Sequence, residues 1–155
     1  MSVRQWKINK PLAVKYINAA IGVVKYRLGA KPALSVKPGY SGFKVSDCSG
    51  WVRWFLYATT PQDAKLLLLP GSWHQQEWCK KNLELCPYSD CGKLDGVIRI
   101  AFINPAGKVP GHVWLVSNGL TIESYGGRGV GRRAWNERVL LGGVNACYVL
   151  GTWQY

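Results

Sequence analysis

Acidic residues are scarce in this 155-residue chain: 8 Asp and Glu stand against 20 Lys and Arg, a formal charge of +12. The shortage excludes an acidic partner-binding tail. The excess of base points to an anionic target, whether nucleic acid, a lipid surface or a negatively charged wall polymer. No apolar run approaches the ~20 residues that a membrane span needs. The opening Met1-Ser2-Val3-Arg4-Gln5-Trp6-Lys7 is followed by Lys10, Pro11 and Lys15, which break the apolar stretch of a cleavable signal peptide. The chain is therefore expected to be made in the cytoplasm, with any export using other machinery. Repeats, low-complexity tracts and long linkers are missing as well, so residues 1–155 are expected to form a single domain. Histidine is confined to His74 and His112. Cysteine is present five times, as Cys48, Cys79, Cys86, Cys91 and Cys147, but never as a paired Cys-x-x-Cys. Zinc held by Cys79, Cys86 and Cys91 with His74 is the sharp reading of that cluster, yet the spacings of six and four intervening residues are not those of a zinc knuckle. Buried free thiols, or one disulfide, are the simpler readings, and the odd count leaves at least one cysteine outside any internal bridge. Neither metal nor cofactor is expected.

What is present is an ordinary globular mixture, 48% hydrophobic and 18% charged, with 8 Trp and 18 Gly. Many large flat side chains among many glycines fit a loop-rich fold, as in carbohydrate or wall binders and some nucleic-acid binders. Asn9-Lys10-Pro11 opens a helical segment whose apolar face reads Leu12, Tyr16, Ala19, Val23 and Tyr26, ended by Gly29 and Pro32. Residues 29–46 read as loop. A second helix spans Cys48 to Ala58, with Val52, Phe55 and Leu56 inward and Asp47 or Ser46 as cap. Ser72-Trp73-His74-Gln75 matches a capping box and predicts a third helix to about Lys81. Strands are expected over Val97–Ile103, His112–Ser117, Leu120–Tyr125 and Val144–Leu150. Asn104-Pro105-Ala106-Gly107 and Asn118-Gly119 read as turns, and Gly126–Gly131 as a mobile glycine-rich stretch. Helices first and an antiparallel sheet second is an α+β arrangement.

Three ingredients can do covalent work together. Asp47-Cys48-Ser49-Gly50 sets a thiol where loop becomes helix, and a helix N-terminus offers unpaired N–H groups and partial positive charge to a thiolate or a developing oxyanion. A thiol nucleophile needs an imidazole to take and return its proton. His112 leads an apolar strand at a Gly-Pro corner, whereas His74 falls in the first turn of a polar helix. Glu123 lies across the Asn118-Gly119 hairpin from His112 and is the candidate to orient the ring.

These residues resemble a known family. Asp47-Cys48-Ser49-Gly50-Trp51-Val52 resembles the nucleophile motif of the NlpC-type cysteine peptidases, papain-like enzymes that cut peptidoglycan peptides. Gly111-His112-Val113-Trp114-Leu115-Val116 is similar to the family's histidine strand, 64 residues further on. Leu69-Pro70-Gly71-Ser72-Trp73-His74-Gln75-Gln76 is similar to the Pro-Arg-x-Ser-x-x-Gln helix start between them, without its arginine. Thr121-Ile122-Glu123-Ser124-Tyr125-Gly126-Gly127 is similar to the segment of the third catalytic position. The family's Pro-Tyr-x-Trp-Gly-Gly segment, whose tyrosine lines the site, has Lys31-Pro32-Ala33-Leu34-Ser35 in the corresponding region, and Tyr40 is the candidate for its tyrosine.

The resemblance, over roughly residues 12–150, implies a papain-like α+β fold with helices packed on an antiparallel sheet. It implies a peptidoglycan hydrolase with Cys48, His112 and Glu123 catalytic, Asp47, Ser49 and Tyr40 around the oxyanion, and Arg128 and Trp51 binding substrate. Arg132 and Arg133 are further candidates to grip stem-peptide carboxylates. A small, basic, single-domain monomer of this kind resembles phage endolysins and type VI amidase effectors, which act at the cell wall. Three other readings stand beside it: a basic nucleic-acid-binding module, a catalytically inactive relative that only binds the wall, and an acyltransferase using the same Cys/His pair. The nucleic-acid reading suffers from basic residues spread along the chain and from the absence of a recognised binding motif.

Overall fold

The computed structural model describes residues 5–103 and 111–155. The chain enters a short strand, Trp6–Asn9 (β1), and Asn9 at once caps the first helix, its Oδ1 accepting from the Leu12 amide at 2.9 Å. Pro11 fills the first turn, where a missing N–H costs nothing. That helix, Lys10–Ala20 (α1), ends well short of the expected segment. It buries Ala13, Tyr16, Ile17 and Ala20, while Ala19 and Val23 are exposed. Of the expected face only Tyr16 is buried within the helix. Ile21 turns extended, and the Ile21-Gly22-Val23-Val24 run combines β-branched residues and glycine, all weak helix formers. Tyr26 lies instead in a two-residue strand, Lys25–Tyr26 (β2), parallel to Val45–Ser46 (β3).

The second helix, Cys48–Thr59 (α2), is buried nearly all round: Trp51, Val52, Trp54, Phe55 and Leu56 all enter the core. The third, Ser72–Asn82 (α3), begins as expected, but Ser72 is its first helical residue and not its cap. Gly71 occupies the cap position and, lacking a side chain, makes no side-chain cap bond, while Gln75 Nε2 turns to Ser49 O and Leu69 O instead. Then follow Glu84–Leu85 (β4), a 3-10 turn at Tyr88–Gly92, Val97–Ile103 (β5), His112–Ser117 (β6), Leu120–Tyr125 (β7), Gly129–Gly131 (β8), a short helix Arg138–Leu141 (α4) and Ala146–Gln154 (β9). The expected Asn104–Gly107 turn lies outside the described residues.

Among the described residues seven strands form one sheet in the order β1-β9-β5-β6-β7-β8, with β4 also on β9. Every pair is antiparallel except β1 with β9, so the sheet is mixed at that edge. The Gly126–Gly131 stretch is not a loose loop: Tyr125 pairs with Gly129 and Glu123 with Gly131, closing a tight hairpin. Alternation sorts the strands into two faces. Ile98, Ile100, Phe102, Val113 and Leu115 join the helices in the larger core. Ala101, Trp114, Val116 and Cys147 turn the other way and pack with Cys91 and Leu140 in a smaller cluster. α2 lies against β6 and β7 and so brings its first residue toward the start of the His112 strand.

Candidate active site

The first turn of α2 is held from behind by Asp47. Its buried carboxylate (3% exposed) accepts from the Gly50 amide at 2.8 Å, the Gly29 amide at 3.1 Å, the Ser49 hydroxyl at 3.3 Å and the Lys31 ammonium. Asp47 also donates its own amide to Ala30 O at 3.0 Å. A Cβ on Gly50 would stand 2.8 Å from that carbonyl, so only glycine lets the residue 29–31 loop lie this close to the helix start. An ionised carboxylate only accepts. Asp47 is therefore a cap and a clasp, not an oxyanion donor. Ser49 is a support as well: its Oγ accepts from the Gly71 amide at 3.1 Å, and its carbonyl accepts from Gln75 Nε2 at 2.9 Å. The Gln75 amide, fully buried, also reaches Leu69 O at 3.1 Å and ties the start of α3 to the start of α2. Cys48, buried to 6% exposure, opens α2 above this frame, where first-turn amides lack helical partners.

His112, the first residue of β6, stands close enough to Cys48 for the sulfur to raise its proton affinity. Its side chain keeps 17% exposure. Nε2 lies 2.7 Å from Glu123 Oε1, and the ring stacks on Trp114 with centroids 5.3 Å apart. Glu123 is fully buried and gripped on its far side by Arg133, Nε to Oε2 at 3.0 Å and Nη2 to Oε1 at 2.6 Å. Burial alone would raise the Glu123 pKa, but hydrogen bonds from His112, Arg133 and Thr121 outweigh it and hold it down at about 2. Burial likewise pulls His112 down, and its bonds to Cys48 and Glu123 and their charges overcome that, leaving it up at about 8. An ionised Glu123 can only accept, so the neutral imidazole carries its proton on Nε2, and Nδ1 is left for the sulfur. A thiol, an imidazole, a carboxylate and a guanidinium thus stand in line.

Arg133 departs from its expected substrate role, since its Nε and Nη2 both donate to Glu123 and its guanidinium lies 3.9 Å over the Tyr125 ring. The register explains it: Thr121 and Arg133 exchange bonds across the β7–β8 hairpin, which carries the arginine back beside the acid. Arg132 donates to Thr121 O at 2.9 Å, and Arg128 is exposed at the hairpin tip.

Two further expectations are corrected. Trp51 is fully buried against Phe43, Trp54 and Phe55 and cannot bind substrate. Tyr40 is 68% exposed beside Val36 and Lys37, not at the thiol. The tyrosine at the site is Tyr26: burial first, then the nearby Cys48 and Asp47, push its phenol up to about 12, so it remains a hydroxyl donor at neutral pH. Its strand is placed by Gly129, whose backbone packs on residues 24–25; a Cβ there would fall 2.1 Å from Val24 O, and φ is +91°. The signal for it in the sequence is Tyr26-Arg27-Leu28-Gly29, which keeps the tyrosine-to-glycine spacing of Pro-Tyr-x-Trp-Gly-Gly but also continues the helical periodicity of α1. His74 packs edge-on to Trp73 in α3, apart from this set. Cys79 belongs to the larger core, whereas Cys86 and Cys91 lie at the smaller one, so Cys79 does not join the other thiols of the zinc reading.

No protein-family model matches the chain, and no curated protein matches it. Among solved structures it is similar to an NLP/P60-family protein from Staphylococcus aureus, described as similar to a lipoprotein, at 12% identity and a TM-score of 0.60. All of this chain is covered but only 45% of that one, so it spans less than half of the neighbour's length. The chain has the mixed α+β fold found in that NLP/P60 protein.

Proposed function

We propose that the protein is a thiol hydrolase that cleaves an amide bond in the stem peptide of peptidoglycan. The observation that carries the reading is the line Cys48–His112–Glu123 at a helix start; the NLP/P60-like fold and the +12 charge, suited to an anionic wall, support it. Cys48 Sγ first gives its proton to His112 Nδ1, whose proton affinity is raised, and then attacks the amide carbonyl. Glu123 accepts from Nε2–H, fixes the tautomer and stabilises the imidazolium, and Arg133 keeps Glu123 ionised. The oxyanion forms beside the first-turn amide of Cys48, with the Tyr26 hydroxyl as a second donor. The imidazolium protonates the leaving amine. Water, activated by the same ring, then hydrolyses the thioester.

The bonds open to such an enzyme are the lactyl–alanine bond, the D-Glu to diamino-acid bond and a cross-bridge. Lysis of a host wall, as by a phage endolysin or an injected amidase effector, is the setting we favour. The test is turbidity loss of purified peptidoglycan, with mass spectrometry of the released muropeptides. Folded Cys48→Ala and His112→Ala variants are expected to be inactive; lysis at the wild-type rate by either would overturn the assignment.

A further inference from the structure

Three of the five cysteines meet away from this site. Cys147 in β9 has its sulfur 3.4 Å from that of Cys86 and 3.5 Å from that of Cys91. The β4–β9 register, Glu84 with Val149 and Leu85 with Tyr148, continues to set Cys86 opposite Cys147, and the Cys86 amide donates to Cys147 O at 2.9 Å. Residues directly opposed on antiparallel strands hold their Cα atoms ~4.5–5.5 Å apart, within the ~4.4–6.8 Å that a disulfide accepts. The paired backbone thus holds the two sulfurs at a spacing a disulfide can bridge. Cys91, on the 3-10 turn, reaches the same sulfur from a different direction.

Access differs among the three. Cys91 and Cys147 are buried, whereas Cys86 is only half-buried, beside a shallow cavity lined also by Pro87, Tyr88, Val144 and Cys147 itself. The Cys86 thiol is pulled down by its bond to Cys147; burial opposes this, and the positive charge of Arg99 adds to it. Cys79, by contrast, is sealed in the larger core, and burial pushes its thiol up.

We propose that Cys86, Cys91 and Cys147 form a thiol–disulfide exchange site that takes a low-molecular-weight disulfide as its oxidant. The Cys86 thiolate attacks one sulfur of the oxidant and expels its other half as a thiol. Cys147 gives up its proton and attacks Cys86 Sγ, forming Cys86–Cys147 and releasing the second thiol. Two protein thiols are oxidised and one disulfide is reduced to two thiols. Cys91 then attacks Cys147, passing the bridge inward and freeing Cys86.

The test uses the full chain carrying Cys48→Ala, which leaves four cysteines and removes the other reactive thiol. It is incubated with excess oxidised glutathione, quenched with acid, alkylated after denaturation and mapped by mass spectrometry. Two of the four thiols are expected to disappear into a bridge between Cys147 and either Cys86 or Cys91, with no glutathione retained. Adding Cys86→Ser is expected to leave a Cys91–Cys147 bridge formed at least tenfold more slowly. Adding Cys147→Ser is expected to trap glutathione on Cys86. Four surviving thiols, glutathione persisting on Cys86 while Cys147 is present, or a bridge that includes Cys79 would overturn the proposal. Failure of the Cys86→Ser protein to form any bridge would remove Cys91 from it. The half-exposed Cys86 position keeps the test available even if Cys147→Ser does not fold.

Discussion

Cys48 and Cys147 are both buried sulfurs, yet their neighbourhoods differ in kind. Cys48 stands at the start of a helix and meets an imidazole, which is backed by a carboxylate and then by a guanidinium. Cys147 stands mid-strand and meets two more thiols; its contacts with Cys86 and Cys91, and then burial, push its own proton affinity up. The residue type is the same, and the partners decide the chemistry: proton transfer and acyl attack at one place, sulfur exchange at the other. The two are linked through packing, since Cys91 and Cys147 share a cluster with Trp114, the ring on which His112 stacks.

The contrast breaks most visibly in activity. Cys48→Ala is expected to lower the rate of dye release from labelled peptidoglycan by at least ~10³-fold, while Cys86→Ser leaves it within about twofold. Comparable losses in both variants would erase the distinction. Glu123→Gln comes next, with turnover down about a hundredfold because the ring loses the acceptor that fixes its tautomer. The same change leaves Arg133 facing a neutral group in a buried place and is expected to cost about 3 kcal/mol in urea unfolding. A variant as stable as wild type would show that the Glu123–Arg133 pair contributes little.

Smaller effects sharpen the picture around the thiol. Tyr26→Phe removes one donor near the reacting carbonyl and is expected to reduce kcat about tenfold with KM little changed. Tyr40→Phe is expected to change neither, and equal effects of the two substitutions would count against the placement of Tyr26.

The smallest effect is a stability limb. His112 is raised from 6.5 to about 8 in the folded protein, so its contribution is complete below pH 6.5 and is lost as the pH rises through about 8. Glu123 is lowered from 4.5 to about 2, so its contribution is complete above pH 4.5 and is lost as the pH falls through about 2. Between pH 4.5 and 6.5 both are present. Wild type is expected to lose about 1–2 kcal/mol between pH 6.5 and pH 9. His112→Gln should lack that limb; urea unfolding of both proteins across this range checks it.

Much of this was legible in the sequence because it is local. A short polar residue before a helix start marks Asp47 as a cap, two histidines narrow the choice of base, and Asn118-Gly119 returns β7 beside β6. What was not legible depends on register and long-range approach. Trp51 sits inside a motif yet points into the core, which helical position alone did not reveal. Tyr26 continues the 3.6-residue spacing of α1 so closely that the pattern hides its strand; the packing of Gly129 against residues 24–25 places it. The convergence of Cys86, Cys91 and Cys147 joins residues up to 61 positions apart and follows from the β4–β9 pairing and from the 3-10 turn that carries Cys91.

The pairing of sulfur 48 with imidazole 112 is tested most directly by residue-resolved alkylation. Reduced wild-type protein and His112→Ala are treated with iodoacetamide at pH 7, and the rate at each cysteine is read by peptide mass mapping. We expect the Cys48 rate to fall at least tenfold on loss of His112 while the Cys86 rate stays unchanged. A Cys48 rate that ignores His112, in a variant that keeps its fold, would contradict the pairing.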